Sequence, residues 1–410
     1  MVNKTRISQA VIFAGGLGER LKPFTLTNPK PMYPINGRPF IAYLIDQIKC
    51  FEIDNIVILL GYMHEKIVDY LGDGKQFGVS IKYCITPIEY DTQFRLKEAK
   101  NLLEDNFLMM YCDNICPINF DRLCDNYFKH NALIEITAYE NSDKYTKSNL
   151  LVDNQRVIIY DKKRLTNNLQ GVDIGYAIVS KKVLEYMSDS NENFEAVVYP
   201  KLVNEGKLYA TVTKHRYYSI GSLERIELTK KYLSDQKYIF IDRDGTLNKR
   251  PNKAEYIVKP EDFIWLDGAK EGIKKLNNAG YFIIMISNQA GIARGVMTDH
   301  DFDLVQSKMN NDLLRINGHI DAVYYCPHGW NDDCDCRKPK PGMLYQAQKE
   351  HSIDLTKCIM IGDDERDIIT ANNADMKGIL VDDNYKFIDA VNDILNDKYK
   401  YYEVNNNDNI

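Results

Sequence analysis

Two aspartates two places apart, Asp242 and Asp244, close the apolar run in YIFIDRDGTLN (Tyr238–Asn248). They stand where a strand would end, and like charges held that close repel unless a cation joins them or one keeps a proton. Both conditions suit phosphoryl transfer. One carboxylate attacks phosphorus beside a divalent cation, while its neighbour gives a proton to the leaving oxygen and later takes one from water. Ser287 ends the next apolar run, in ISNQAGIARG (Ile286–Gly295), where its hydroxyl can meet a transferring phosphoryl group. Lys338, in CRKPKPGM (Cys336–Met343), is a cation that balances charge there. Asp363 and Asp367, in MIGDDERDI (Met360–Ile368), are hard oxygen donors suited to Mg2+.

A second constellation lies between these motifs. Cys326 and His328 are followed, after five residues, by Cys334 and Cys336. Four soft or borderline donors with none to spare make a closed, structural Zn2+ site. Zinc there clamps the loop that delivers Arg337 and Lys338. The other cysteines (Cys50, Cys84, Cys112, Cys116, Cys124, Cys358) are scattered, as small buried side chains of a reducing compartment are.

Near the N-terminus, FAGGLGERLKPFTLTNPKPMYPING (Phe13–Gly37) places Gly15, Gly16 and Gly18 directly after an apolar run, with Arg20 and Lys30 behind them. Leu21 stands where a dinucleotide fingerprint needs its third glycine, and no Gly-Lys-Ser/Thr follows. Glycine amides can still approach a triphosphate closely, and fixed cations can neutralise charge as pyrophosphate leaves.

The elements that must hold these residues follow from periodicity. Gln9–Ala14, Asn55–Gly61 and Phe107–Asp113 read as buried strands; Phe40–Phe51 and His64–Gly72 have helical spacing. This alternation predicts a mostly parallel sheet covered on both faces. The pattern restarts at Tyr238, with strands at Tyr238–Asp242, Tyr281–Ser287 and Lys357–Asp363 and helices at Gly268–Gly280 and His300–Asn317. Two α/β domains are expected, 1–233 and 234–395, joined by a short polar stretch, Lys230–Lys237, of helical character. A loose polar tail, 396–410, completes the chain.

Aspartate pair, hydroxyl, lysine and acidic pair, in this order and each at a strand end, resemble the haloacid dehalogenase superfamily of phosphatases from Tyr238 to about Asp383. The resemblance implies a Rossmannoid domain with Asp242 as nucleophile, Asp244 as general acid/base, and Ser287 and Lys338 on the phosphoryl oxygens. It also implies Mg2+ held by Asp242, the backbone carbonyl of Asp244, and Asp363, with Asp367 in support. The zinc cluster with CRKPKPGM and SNQAGIARG resembles the D-glycero-D-manno-heptose 1,7-bisphosphate 7-phosphatases and the related histidinol-phosphate phosphatases. Asn288, Arg294 and Arg337 are then the implied substrate contacts. The zinc loop is short, and Asp363-Asp364 stands where the heptose enzymes often carry Asp-Lys, so the substrate stays open between the two.

The glycine loop, with RLKP, NPKPM and P-x-x-G-x-P (Pro34–Pro39), resembles the sugar-1-phosphate nucleotidyltransferases from about Ile7 to Leu233. That implies a Rossmann-like, mixed and mostly parallel sheet, and attack of a sugar 1-phosphate on the α-phosphorus of a nucleoside triphosphate. Gly15, Gly16, Gly18 and Arg20 would cradle the triphosphate, Lys30 would stabilise the transition state, and Asp113 would hold Mg2+. Thr92, in YDTQF, falls in the base-reading stretch; Lys162 would contact the sugar phosphate and Asp173 would lie in the sugar pocket. One departure matters: Ser219, in HRYYSIGSLER, replaces the second metal aspartate of that family. GTP is the favoured triphosphate, from likeness to heptose 1-phosphate guanylyltransferases.

The two domains would then catalyse consecutive steps: 7-dephosphorylation of a heptose 1,7-bisphosphate, then nucleotidyl transfer to the 1-phosphate. The alternative is an active phosphatase joined to a transferase-like binding or scaffold domain. A net charge of −6 speaks against a nucleic-acid partner, and no run reaches the roughly 20 apolar residues of a membrane span. The N-terminus shows no leader core, so a cytoplasmic enzyme of small phosphorylated molecules is expected, with a homo-oligomer left open. His64 and His130 read as ordinary surface or hydrogen-bonded histidines.

Overall fold

The computed structural model describes residues 7–252, 255–399 and 401. The chain divides into two compact units, Met1–Leu233 and Ser234–Ile410. Most of the expected tail, 400 and 402–410, lies outside the described residues.

The first unit is built on a nine-stranded mixed sheet. Across it run Ser80–Ile85, Asn55–Leu60, Gln9–Ala14, Asn106–Tyr111, Val172–Ser180, Ile134–Tyr139, Leu208–Thr213, Arg156–Tyr160 and Leu150–Asp153. The first four are mutually parallel; Val172–Ser180 then runs antiparallel to both of its neighbours. Every residue of Gln9–Ala14 is buried because both faces are covered. Ala10, Ile12 and Ala14 join the core that contains helix Phe40–Cys50, while Val11 and Phe13 join the one that contains helix Phe194–Glu205. The period-two alternation of a strand thus feeds two apolar layers, and the sequence shows a continuous hydrophobic run.

The second unit has a five-stranded, all-parallel sheet in the order Ala322–Cys326, Tyr281–Asn288, Lys237–Ile241, Ile359–Gly362, Lys377–Leu380. Ile239 and Ile241 pack into the layer of helices Ala269–Asn278, Asp299–Leu314 and Phe387–Leu395. Phe240 faces the other layer, with helices Gly342–His351 and Glu365–Asn372. Lys237–Ile241 is central, and Ile241 pairs with both Met285 and Ile361. Three strands therefore end side by side, and Asp242 and Asp363, just beyond two of them, are brought to one rim with Ser287, the penultimate residue of the third.

The junction is helical only in its first part. Helix Leu223–Tyr232 stops there and the next strand begins at Lys237, so 233–236 are not helical. Among the described residues, no helix is long and apolar enough to cross a membrane.

Candidate functional site

In the second unit, Lys338 reaches between the end of strand Lys237–Ile241 and the first turn of helix Glu365–Asn372. Its Nζ donates to Asp242 Oδ1 at 2.5 Å and to Asp367 Oδ1 at 2.6 Å, with only 6% of the lysine exposed. One oxygen from each of Asp242, Asp363 and Asp367 lies within 4.8 Å of the others. Burial and the neighbouring carboxylates push Asp242 up to about 8, although Lys338 pulls the other way. Burial likewise pushes Asp363 up to about 6 against the pull of Arg250, which pairs with it at 2.9 Å. Burial works against the charge of Lys338 too, yet Asp242 and Asp367 hold its ammonium above the ordinary value. Carboxylates this crowded, with one buried ammonium among them, are a donor set that a hard divalent cation fits. Gly245, at φ 101°, makes room: a Cβ there would sit 1.9 Å from Asp363 Oδ2.

Asp244 is held apart from that crowd. Arg243 grips it with a fork at 3.1 and 2.9 Å, and Asn248 and Gln289 each donate to it at 3.0 Å. Burial opposes its charge, but Arg243 and these donors keep the carboxyl below its usual range. A neutral, proton-carrying Asp244 is therefore not what this geometry favours; an ionised acceptor is. Gln289 also donates to Ser287 Oγ at 2.8 Å, which ties hydroxyl and carboxylate together.

The other expected contacts take varied places. Both side-chain amide atoms of Asn288 clamp the backbone of Lys338, at 3.1 and 3.0 Å, so Asn288 positions the lysine. Arg294 is exposed and stacks over Tyr256 and Trp330, 5.7 Å from each ring. Arg337 donates to His328 O at 3.4 Å, within the cysteine loop. That loop gathers Cys326, His328, Cys334 and Cys336, with neighbouring donor atoms 3.1 to 3.6 Å apart. A tetrahedron with bonds of about 2.3 Å has edges of about 3.7 Å, so the four donors fit Zn2+. The sulfurs of Cys334 and Cys336 lie 3.6 and 3.3 Å from that of Cys326, too far for a disulfide, and the three cysteines are free thiols.

In the first unit, the glycine loop and Thr92 wall a cavity of about 620 Å3, which Arg20, Lys30 and Asp113 also line. A second cavity of about 380 Å3 is lined by Arg20, Asp113, Lys162, Asp173 and Ser219. Arg20, Tyr111 and Asp113 belong to both walls, so the two spaces meet at Asp113. Lys30 pairs with Asp113 at 2.5 Å. Lys162 pairs with buried Glu195, which also accepts from Tyr160 OH at 2.9 Å. Asp173 accepts from Gly175 N at 2.9 Å, and burial pushes its carboxyl up. Ser219 pairs with Asn114 in a short antiparallel ladder, and Ile220 N donates to Asp113 O at 3.0 Å. It therefore sits beside Asp113 with a hydroxyl where a metal pair would need a carboxylate.

Away from these clusters, His64 Nδ1 donates to Gly61 O (3.3 Å), and His130 pairs with buried Glu135 at 2.9 Å. Sequence reasoning missed Arg243, Asn248, Gln289 and Arg250 beside the aspartates and, in the first unit, Arg95. It is 4% exposed and donates to Gly15 O at 3.2 Å, Leu60 O at 2.8 Å and Ile88 O at 3.1 Å. It pins the glycine loop from below, and a Cβ on Gly15 would lie 2.5 Å from its guanidinium carbon. An arginine within an amphipathic helix carries no signal of this in the sequence, because such residues normally face solvent.

Comparison with known proteins follows this division. Residues 9–235 match the nucleotidyl transferase family model, and residues 335–392 match a HAD-hydrolase-like model. The D-glycero-beta-D-manno-heptose-1,7-bisphosphate 7-phosphatase of Haemophilus influenzae is 40% identical over 147 residues, 34% of this chain and 78% of that protein. The D-glycero-alpha-D-manno-heptose-1,7-bisphosphate 7-phosphatase of Photorhabdus laumondii is 41% identical over 145 residues, with the same two shares, 34% and 78%. A putative glucose-1-phosphate thymidylyltransferase from Bacillus anthracis superposes with a TM-score of 0.50 at 19% identity, over 55% of this chain and 95% of that one, which shows a shared fold.

Proposed function

This chain belongs to the nucleotidyl transferase family through residues 9–235 and to the D-glycero-D-manno-heptose-1,7-bisphosphate 7-phosphatases, and on that premise we propose an enzyme of two consecutive reactions. The second unit removes the 7-phosphate of a heptose 1,7-bisphosphate. The first unit then joins the 1-phosphate product to a nucleoside triphosphate, GTP favoured, and releases pyrophosphate. Both reactants and the triphosphate are small cytoplasmic molecules, and we place the enzyme in the cytoplasm.

In the phosphatase step an Asp242 oxygen attacks phosphorus, the bond from phosphorus to the sugar oxygen breaks, and that oxygen takes a proton from Asp244. Asp244 must first gain that proton against the pull of Arg243, and once ionised it is ready to deprotonate water. The water oxygen then attacks phosphorus, the bond from phosphorus to the Asp242 oxygen breaks, and inorganic phosphate leaves with the carboxylate restored. Ser287 and Lys338 hold the phosphoryl oxygens. Mg2+, when bound by Asp242, Asp363 and the Asp244 carbonyl, would neutralise the transferring group. Zn2+ on Cys326, His328, Cys334 and Cys336 would hold the loop that ends at Lys338. In the transferase step the sugar phosphate attacks the α-phosphorus while the glycine-loop amides and Arg20 hold the triphosphate. Lys30 offsets the charge that grows as pyrophosphate leaves, with Asp113 as the carboxylate available to Mg2+.

The observation that carries this assignment is the convergence of Asp242, Asp363, Asp367 and buried Lys338 at one rim of the parallel sheet. Phosphate release from both anomers of the heptose bisphosphate and from histidinol phosphate, with Mg2+, tests the first reaction. Faster turnover of histidinol phosphate would overturn the substrate. Pyrophosphate release from heptose 1-phosphate with each of the common triphosphates tests the second. No release with any of them would favour the scaffold role that Ser219 suggests.

Two further outcomes are expected. Cys334→Ser lowers bound zinc below one per chain, read by elemental analysis, and lowers the melting temperature of the second unit; unchanged zinc content would remove the clamp. Metal-free protein loses stability in the second unit as pH rises. Asp242 and Asp363 have folded values of about 8 and about 6 against 3.8 for the unfolded groups, so the folded state binds more protons between those limits. The contribution is complete below about pH 4, declines across the interval in which the folded state holds the extra protons, and is gone above about pH 8; saturating Mg2+ should flatten that decline. Melting curves across this range, with and without Mg2+, check the sign.

A further inference from the structure

The smaller cavity of the first unit holds more fixed positive charge than the roles above use. Arg164 and Arg225 both line it, together with Arg20 and Lys162. Lys162 is neutralised by Glu195, whereas among the described residues no carboxylate closes an ion pair with Arg164 or Arg225. Arg225 is nonetheless firmly held. Its guanidinium lies over the rings of Tyr145 and Tyr217, 4.8 and 5.5 Å from their centres, and donates to Tyr217 OH at 3.3 Å. Arg164 is placed by backbone strain, in a left-handed conformation at φ 59° that side-chain-bearing residues seldom adopt. The Asp161 carboxylate enforces it by accepting backbone N–H groups of Lys163, Arg164, Leu165 and Thr166 at 2.9, 3.0, 2.7 and 2.7 Å.

The opposite charges in this cavity are already engaged. Asp113 pairs with Lys30, and Glu195 with Lys162. Asp173 accepts from Gly175 N and Tyr160 OH. Among the described residues of this unit no three His, Cys, Asp or Glu side chains gather as a metal group, and Ser219 supplies only a hydroxyl beside Asp113. Arg20 approaches the same corner: its Nη1 lies 4.0 Å from where a Cβ on Gly221 would be. Two half-solvated guanidiniums on a cavity wall, without an ion-pair partner among the described residues, are built to receive an anion.

Resting on the transferase assignment, we propose that Arg225 and Arg164 form the subsite for the phosphate of the sugar phosphate. Fixed guanidinium charge then stands where Ser219 leaves no second carboxylate for a cation. The attacking phosphate is held against Asp113 and Arg20, on the side of the cavity that meets the triphosphate space.

Calorimetric titration of the full-length Asp242→Asn protein, which cannot consume the ligand, tests this with D-glycero-D-manno-heptose 1-phosphate and, separately, GTP with Mg2+. Arg225→Gln keeps the stem between the two tyrosines but removes the charge. It should weaken the sugar phosphate about 10- to 100-fold and leave GTP within about twofold, with Arg225→Lys in between. Arg164→Gln should behave in the same way. Unchanged sugar-phosphate affinity in both Gln variants, with GTP binding intact, would overturn the subsite alone. Equal losses for both ligands would also overturn it, by marking general damage to the unit. If the Asp242→Asn parent binds neither ligand, the transferase assignment itself fails.

Discussion

Replacing Asp242 by Asn lowers phosphate release from the heptose bisphosphate by about 10,000-fold or more, and leaves pyrophosphate release unchanged. The amide has the shape of the carboxyl but is no nucleophile, so no covalent phosphoryl-enzyme forms. The fold should tolerate the change, since Lys338 keeps its second partner, Asp367, at 2.6 Å. Single-turnover release of inorganic phosphate, beside a pyrophosphate assay on the same sample, reads both effects. Loss of both activities would show that the two reactions do not proceed independently.

Replacing Lys338 by Met should destabilise the metal-free second unit by about 3 kcal/mol at pH 8. Two carboxylates, 6% and 2% exposed, would be left without the buried ammonium that both of them contact. Part of the cost is escaped by protonation, because Asp242 already titrates at about 8 with the lysine present. The deficit should therefore shrink as pH falls toward 6, where Asp242 holds its proton. Mg2+ should restore part of the stability but none of the phosphatase rate. Both tryptophans, Trp265 and Trp330, belong to the second unit, so tryptophan fluorescence during denaturant unfolding follows it directly. A variant as stable as the parent at pH 8 would mean that the carboxylates are solvated in solution, and the picture of a buried charge cluster would be wrong.

Much of the chemistry could be seen in one dimension because it sits at strand ends. An apolar run that stops at an aspartate locates both a strand and its functional rim, as at Ile241-Asp242 and Gly362-Asp363. Helix limits were less exact: the stretch expected at His300–Asn317 is helical over Asp299–Leu314, since the last residues form a turn that the apolar spacing does not announce. Side-chain partners were hardest to foresee. Asn288 was expected at the substrate and instead grips the Lys338 backbone, and Arg95 carried no mark of its buried place under the glycine loop.

Residue types and spacing alone pointed to two α/β units, an aspartate pair at a strand end, a compact Cys-His cluster and the glycine loop, because each depends on local periodicity or on donors close along the chain. Only the tertiary structure decided which charges meet. Lys338 finds Asp242 across 96 residues, Lys30 finds Asp113 across 83, and Arg225 comes to line one cavity with Arg164, without an ion-pair partner among the described residues. Pairings over such distances are set by how parallel strands align and what their loops bury, and no local pattern encodes them.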